Sequence, residues 1–270
     1  MKTRNNFMPH GAFTALIFAL LCWQLIHIAG VVPPYMLPSP LEVFTALVKD
    51  FPLLTRHIRV TLFEAGAGLA LAVAAACLFA LCMDLSAFVK KTASPLLLLT
   101  QTVPSIALAP LLVLWLGYGA APKIALVFIT CFFPVTVALA DAFANTDVDA
   151  VRLLRSMGAR HLQIYRYLKL PQALPPFFSG LKIAASYAVA GAVISEWLGG
   201  NSGLGVYMTR VRKSYSFDKM FAVILITALL SVALLKAVSL LEWLAMPWKR
   251  NSLSEKITEK NKINKIIEEF

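Results

Sequence analysis

Long stretches without a charged residue constrain this chain more than any other feature. Between Glu64 and Asp84 the sequence carries no charge and is almost wholly apolar. About 20 such residues are long enough to cross the hydrocarbon core of a bilayer as a helix. The 270 residues are 59% hydrophobic and 14% charged, whereas about a quarter of the residues in a soluble domain are charged. The sequence therefore predicts an all-α, polytopic membrane protein.

About six membrane-spanning helices are predicted from the apolar runs. Their ranges are 11–32, 61–83, 93–116, 123–140, 176–198 and 220–243. Pro104 and Pro110 each remove a backbone donor, so the third span is expected to be kinked or interrupted. The mixed pattern of residues 41–60, broken at Pro52, predicts an interfacial helix. The predicted domains are a cytoplasmic N-terminal tail (1–10), a transmembrane domain (11–248) and a cytoplasmic C-terminal tail (249–270).

Small residues recur at every fourth position in two of the predicted spans. The second span has Gly68, Ala72, Ala76 and Ala80, and the fifth has Gly180, Ala184, Ala188 and Ala192. Residues four apart lie on one helix face, and small side chains let neighbouring helices approach closely. These two faces are predicted to be helix-packing surfaces.

The net charge of +11 indicates an orientation in the membrane. With the N-terminus inside and six spans, most of the 25 lysine and arginine residues fall on the same side as both termini. In most membrane proteins the side with more basic residues is the cytoplasmic one, so both termini are predicted to be cytoplasmic. Nucleic acid is not expected as a partner, because the basic residues are not interleaved with aromatic ones. The four cysteines show no CxxC spacing and no HExxH occurs, so neither a metal site nor a catalytic set is predicted.

A basic segment, residues 145–176, separates the fourth and fifth predicted spans. Its basic residues are Arg152, Arg155, Arg160, Arg166 and Lys169. On charge alone, the segment is equally an ordinary cytoplasmic loop held by anionic lipid or a docking surface for another protein.

The pattern inside the basic segment favours a helix-turn-helix. We predict one helix over 149–157, with Asp149 in its first turn, a tight turn at Gly158, and a second helix over 161–168 that is ended by Pro171. An apolar face on the first helix would suit a groove on a partner. That face consists of Leu153, Leu154 and Met157.

The spacing around Gly158 resembles that of a known family. Leu168 follows Gly158 after nine residues, and Leu170-Pro171 follows after one more. With this spacing and three further segments, the chain resembles the permease subunits of type I ABC importers, in the nitrate, sulfonate and taurine branch. The three segments are LPSPLEVFTAL, QTVPSIALAPLLVLWLG and AVISEWLGGNSGLGVYM. SMGARHLQIYRYLKLP and GVYMTRVRKSYSFDKMFAV are most similar to the sub-branch linked to pyrimidine precursors of thiamine.

The resemblance implies a set of partners and a cellular location. It implies a homodimer in the bacterial inner membrane, two copies of an ATPase subunit, and an extracytoplasmic solute-binding protein. The chain lacks a GxxxxGK[ST] phosphate loop, so ATP is expected on the partner and no cofactor on this chain. The expected solute is a hydroxymethylpyrimidine-like precursor, with alkanesulfonate, taurine or nitrate as the alternative.

One departure from the family pattern concerns the ATPase contact. The family's loop usually opens with Glu-Ala-Ala, its glutamate six residues before the glycine, whereas this chain has Arg152, Leu153 and Leu154 there. A base replaces the acid, which predicts a complementary acid in the ATPase groove. The positions that match the family, and take its ATPase-coupling role, are Gly158, Leu168, Leu170 and Pro171.

Polar residues within the predicted spans are candidates for the translocation path. The candidates are Gln101, Pro104, Ser105, Ser186, Tyr187 and Glu196. Pro104 interrupts a helix, and the freed carbonyls can line a cavity. Glu196 is costly inside a membrane unless it faces a cavity or a partner, so it is either a gate residue or a glutamate paired with a nearby base. The hydroxyl and amide residues could instead tie helices together.

Two functions of other classes remain open from the residues. A gradient-driven secondary carrier would transport without an ATPase and usually shows an inverted repeat, and no convincing repeat is found. A membrane-embedded enzyme would need a nucleophile with its base, or a metal cluster, and only Glu196 among the span residues could act as acid or base.

Overall fold

The computed structural model describes residues 9–33 and 35–248, and every regular element in them is a helix. The predicted C-terminal tail and residues 1–8 of the predicted N-terminal tail lie outside the described residues. The α-helices are α1 (Pro9–Ile28), α2 (Pro40–Lys49), α3 (Phe51–Leu85), α4 (Ala87–Thr102), α5 (Ser105–Leu116), α6 (Ala121–Ala144), α7 (Val148–Ser156), α8 (His161–Ile164), α9 (Leu170–Glu196), α10 (Leu204–Lys213) and α11 (Phe217–Ala245). A π-helical turn, Tyr165–Lys169, joins α8 to α9.

Four helical stretches in the described residues are long and apolar enough to cross a membrane. They are α3, α6, the continuous helix His161–Glu196 that includes α9, and α11, which correspond to the second, fourth, fifth and sixth predicted spans. α4 and α5 together would form a fifth, with a bend of 99° between them. α1 is the counterpart of the first predicted span. The all-α, polytopic class is confirmed.

Helix boundaries differ from the predictions where prolines were taken as breaks. The predicted interfacial helix over 41–60 is wrong in its second half, because α3 begins at Phe51 and continues into the span. Pro52 lies in the first turn of α3, where no intrahelical partner exists for an N–H in any case. Only α2 is a separate short helix, and Ser39 and Glu42 form its capping box.

The bend between α4 and α5 falls at Val103-Pro104. Both residues have extended backbone, and α5 begins at Ser105 directly after the proline. The residue before a proline is driven away from the helical conformation, and the proline itself has no N–H to donate. The predicted interruption of the third span at Pro104 is therefore present.

The helix core forms along the two predicted small-residue faces. α6 lies between α3 and α9 and packs against both. The alanines at 72, 76, 80, 184, 188 and 192 are fully buried. A β-carbon at Gly68 would lie 2.5 Å from Val127 Cβ, and one at Gly180 would lie 2.7 Å from the Pro134 carbonyl oxygen. Only glycine permits these close approaches.

The chain direction defines two ends of the bundle. α6 begins beside the loop that precedes α10, where Lys123 Nζ lies 3.5 Å from the Ser202 carbonyl oxygen. It ends at Ala144, next to the basic segment. We call these ends the α10 end and the basic-segment end.

Candidate functional site

The basic segment begins as a capped helix followed by a glycine turn. The Asp147 carboxylate accepts hydrogen bonds from the N–H groups of Asp149 and Ala150, at 2.9 and 3.3 Å, which satisfies donors that every helix start leaves open. α7 ends at Ser156, and Gly158 has φ +84°. A residue with a β-carbon adopts that conformation with difficulty. The predicted first helix and the turn are present within one residue of their predicted positions.

The surface of the basic segment carries large apolar side chains, most of them largely exposed. Leu153 is 61% exposed and Met157 is 74% exposed, whereas Leu154 is half-buried. Leu162 beyond the turn is also exposed. Apolar side chains grouped on a soluble face indicate a contact surface. Arg152 lies beside them, and its 3.2 Å ion pair with Asp149 is open to solvent, so the pair contributes little to stability.

The second half of the predicted helix-turn-helix differs from the prediction. A stop at Pro171 was expected, but the helix continues from His161 through Leu170 and Pro171 to Glu196. The π-helical turn ends at Lys169, directly before this pair, and the Leu170 N–H bonds the Tyr165 carbonyl five residues back. The wider π turn relieves the clash between a proline ring and the preceding turn. Leu168 lies inside the π turn, half-buried.

The π turn also holds the basic segment to the end of α3. Tyr165 donates its hydroxyl hydrogen to Asp84, and Lys169 Nζ lies 2.6 Å from Asp84 Oδ2. Both charged side chains of that ion pair are mostly buried. The basic segment is therefore joined to two spans, to α9 by helical continuity and to α3 through Asp84.

A large open cavity lies between α6 and α9 near the basic-segment end. This α6–α9 cavity has a volume of about 870 Å³, which is ample for a small solute. Its polar lining residues are Thr130, Asp141, Asn145, Asp147, Gln172, Ser179 and Tyr187. No lysine, arginine or histidine is among the described residues that line it.

Prolines on both walls of the α6–α9 cavity free backbone acceptors. Pro134 of α6 and Pro176 of α9 have no N–H, so the carbonyls four residues earlier, on Thr130 and Gln172, lose their helical donors. Both of those residues line the cavity. Carbonyls freed in this way are suited to binding a polar solute.

A second cavity, the break cavity, opens beside the interruption between α4 and α5. It has a volume of about 280 Å³ and is lined by Thr100, Pro104 and Ser105 among others. Thr130 and Tyr187 line both cavities. The two cavities therefore share these two side chains, one on α6 and one on α9.

The structure brings three of the six candidate path residues together. Pro104, Ser105 and Tyr187 line the break cavity. The exposed Ser186 hydroxyl donates to the Lys182 carbonyl at 2.9 Å, and Ser186 lines neither cavity. The backbone of Gln101 lies in α4, and its side chain is outside the described part of the chain.

Glu196 lies in a buried polar cluster at the α10 end, away from both cavities. It is 1% exposed and accepts hydrogen bonds from Thr61 Oγ1 at 2.7 Å and from the Gly205 N–H at 2.5 Å. The predicted alternative, a pair with a nearby lysine or arginine, is not formed among the described residues. Lys123 pairs with Glu64 instead, at 2.9 Å.

The loop before α10 is folded tightly around this cluster. His57 Nδ1 accepts from the Gly203 N–H, and Thr61 Oγ1 accepts from the Leu204 N–H, both at 2.9 Å. A β-carbon at Gly203 would overlap the Glu196 carboxylate, and its φ is +129°. The cluster therefore fixes the loop to α3 and α9.

Asp50 ties the junction of α2 and α3 to the same end of the bundle. It accepts from Tyr207 of α10 at 2.6 Å and pairs with Lys219 of α11 at 2.7 Å. Burial raises the pKa of Asp50, but the hydrogen bonds from Lys219 and Tyr207 outweigh it and hold that pKa below its ordinary value. Burial is the main cause that raises the pKa of Tyr207, and the hydrogen bond to Asp50 raises that pKa further.

Sequence reasoning missed most of the polar lining of the α6–α9 cavity. The fourth span was predicted to end at Ala140, which placed Asp141 in a loop, but α6 continues to Ala144. Asn145 and Gln172 fall in the basic segment, which was predicted to be a docking surface and not part of the path. Asp141 could have been identified as a candidate because it is a single acid directly after an apolar run, and such a residue needs a cavity or a partner.

The comparisons with known proteins agree with this architecture. Residues 68–243 match the family model of the binding-protein-dependent transport system inner membrane component. A probable ABC transporter permease protein of Haemophilus influenzae is 39% identical over 80% of this chain and 88% of its own. The formylaminopyrimidine transport permease protein of Halalkalibacterium halodurans is 35% identical over 87% of this chain and 94% of its own.

A solved structure gives the same fold at lower identity. The MetNI methionine ABC transporter, in an inward-facing conformation, aligns with a TM-score of 0.63 over 72% of this chain and 96% of the matched chain, at 19% identity. This chain belongs to the binding-protein-dependent transport system inner membrane component family and is a permease subunit of an ABC importer.

Proposed function

We propose that this permease imports a pyrimidine precursor of thiamine, of the hydroxymethylpyrimidine type. The observation that carries the proposal is the 35% identity to a formylaminopyrimidine transport permease, over 87% of this chain and 94% of that protein. Similarity over nearly the whole of both chains includes the helices that would line the path as well as those that pack the bundle.

The complete importer in this proposal has three kinds of partner. Two copies of this chain form the path, two copies of an ATPase subunit bind and hydrolyse ATP, and an extracytoplasmic binding protein delivers the solute. The chain itself performs no catalysis and binds no cofactor. Support comes from the exposed Leu153 and Met157, which need an apolar partner surface. Arg152 beside them favours an acidic residue in the ATPase groove.

The basic segment is the proposed coupling element. Closure of the ATPase dimer on ATP would push on α7 and the turn at Gly158. The push would reach α9 directly and α3 through the contacts of Tyr165 and Lys169 with Asp84. The spans would then open toward the binding protein, which is alternating access.

The proposed location is the bacterial cytoplasmic membrane, with both termini and the basic segment inside. The excess of basic residues in 145–176 and in the two tails supports this orientation. The α10 end, with Glu196 buried at its centre, then faces the binding protein. In this arrangement Glu196 is a candidate gate residue.

The proposed path follows the break cavity and the α6–α9 cavity. Tyr187 and Thr130 line both. The α6–α9 cavity is open, and a second copy of the chain across a two-fold axis would close it with the same residues.

Uptake in cells tests the proposal. Cells with and without this chain, each with and without its ATPase, are given labelled hydroxymethylpyrimidine and a labelled alkanesulfonate. Pyrimidine uptake that needs both proteins is the expected result. Uptake of the sulfonate alone would keep the importer and refute the pyrimidine, whereas pyrimidine uptake without the ATPase would support a secondary carrier.

A further inference from the structure

The two charged residues among the described lining of the α6–α9 cavity are both acidic. Asp141 and Asp147 line it, and none of the described lining residues is basic. This contrasts with the rest of a chain whose net charge is +11. A cavity lined by one sign of charge, with apolar walls, raises the local concentration of solutes of the opposite sign and lowers that of like sign.

Asp141 is the carboxylate that remains available to a solute. It lies on α6 within a helix apolar enough to span the membrane, is exposed to the cavity, and has no lysine or arginine partner among the described residues. An acid in that position is costly unless it faces water or a ligand. Asp147 is engaged in capping α7.

The neutral groups of the cavity add acceptors and an aromatic face. The carbonyls of Thr130 and Gln172 lose their helical donors to Pro134 and Pro176. Tyr187 is 57% exposed and offers a ring on which a flat heterocycle can stack. A ligand that matches these groups donates hydrogen bonds, is small and flat, and is neutral or positively charged. An amino-substituted pyrimidine fits that description, and a sulfonate or nitrate does not.

We propose that the α6–α9 cavity admits neutral or cationic hydrogen-bond donors and excludes anions, and that Asp141 sets this preference. The inference deepens the proposed function and rests on the cavity being part of the solute path. In a two-fold dimer the second copy adds the same residues, so the symmetric path contains two Asp141 carboxylates. Asp141 is a specificity-determining residue that would accept a hydrogen bond from the solute.

Thiol reagents of opposite charge measure the sign of the electrostatic potential in the cavity independently of any substrate. Ser179 lines the cavity and is exposed, so Ser179→Cys places a thiol there once the four native cysteines are replaced. The complete transporter in nanodiscs is treated with one of two methanethiosulfonate reagents, which carry either a cationic ethyltrimethylammonium group or an anionic ethylsulfonate group. The rate at which each reagent modifies the thiol is divided by its rate of reaction with a small free thiol in solution. The cationic reagent is expected to be about tenfold faster. Asp141→Asn lowers the ratio at least threefold, and Asp141→Lys inverts it.

Asp218→Asn is the matched control, because Asp218 lies in the first turn of α11 and lines neither cavity. It leaves the ratio unchanged. Equal normalised rates for the two reagents, or a ratio that Asp141→Asn does not alter, would overturn the inference.

Uptake into proteoliposomes keeps the test independent of the cysteine replacements. Permease, ATPase and binding protein are reconstituted, and uptake of labelled hydroxymethylpyrimidine, taurine and ethanesulfonate is followed. Asp141→Lys is expected to lower pyrimidine uptake at least tenfold while ATP hydrolysis stimulated by the binding protein is retained.

The outcomes separate the two proposals. Pyrimidine uptake that Asp141→Lys leaves intact refutes the role of Asp141 and keeps the proposed solute. Uptake of ethanesulfonate by the wild type refutes both. If the wild type transports none of the three solutes, the proposed substrate fails, and the reagent ratio still decides the charge preference.

Discussion

Lys123 and Glu64 illustrate how single residues hold the α10 end together. Their side chains are 6% and 2% exposed, and one Glu64 oxygen has no partner in the described chain. A buried pair contributes little net stability, because the loss of hydration offsets the attraction. Removal of one partner is different, since it leaves a buried charge without compensation.

Lys123→Met is therefore expected to destabilise the protein by about 3–5 kcal/mol. The double variant Glu64→Leu/Lys123→Met should recover most of that loss, because neither charge remains. Urea unfolding in detergent micelles, followed by circular dichroism, measures both variants. A single variant as stable as the wild type would contradict the burial of the pair.

Gly203→Ala tests the fit between the loop and Glu196. The added carbon would overlap the carboxylate, and φ +129° is unfavourable for alanine. We expect a lower midpoint of thermal unfolding. Gly66→Ala is the control, because Gly66 lies within α3 with open space around it, and alanine there should be neutral or stabilise by about 0.5–1 kcal/mol. Equal effects of the two changes would count against the close contact.

At the level of elements, the π turn decides how the basic segment joins the spans. A helix that ended at Pro171 would leave a flexible link, whereas the observed helix runs unbroken into α9. The side chains of Tyr165 and Lys169 meet Asp84 of α3. Two spans are therefore held to the segment, as the proposed coupling role requires.

Asp84→Ala is expected to uncouple hydrolysis from transport. Loss of both contacts would free α3 from the π turn, so the number of ATP molecules hydrolysed per solute imported should rise severalfold. Uptake and phosphate release measured in the same proteoliposomes give that ratio. Lys90→Gln removes a charge from the exposed start of α4 nearby and should leave the ratio unchanged. A normal ratio in Asp84→Ala would show that α9 alone transmits the motion.

The sequence predicted elements whose cause is local and missed those whose cause is a neighbour. The spans follow from the hydropathy of apolar runs, the break at Pro104 from its missing N–H, and the turn at Gly158 from a conformation that glycine adopts easily. Each cause lies within a few residues, so each feature could be predicted from the sequence. Pro171 was misread, because a preceding π turn accommodates it and no local rule predicts that turn. Asp141 was missed because its role depends on the facing wall of α9. Nothing in the order of residues indicated that Thr61 and the Gly205 N–H would surround Glu196.

At the level of the whole molecule, the two ends of the bundle have different constructions. The α10 end is fixed by buried hydrogen bonds around Glu196 and by the contacts of Asp50. The basic-segment end instead exposes apolar side chains and lies beside an open cavity. A rigid end suits the delivery of solute by a binding protein, and an exposed end suits an ATPase. The proposed path between them follows α6 and α9.

The most direct test of this account is ATP-driven pyrimidine uptake by Gly158→Asp in proteoliposomes that contain the ATPase and the binding protein. The account predicts normal insertion of the variant and at least a tenfold loss of uptake, because aspartate adds a charge and a strained backbone at the ATPase contact. Gly158→Asn, whose side chain is similar in size and tolerance of positive φ but uncharged, should retain more transport. Wild-type uptake by Gly158→Asp would contradict the central claim that the basic segment couples ATP hydrolysis to the spans.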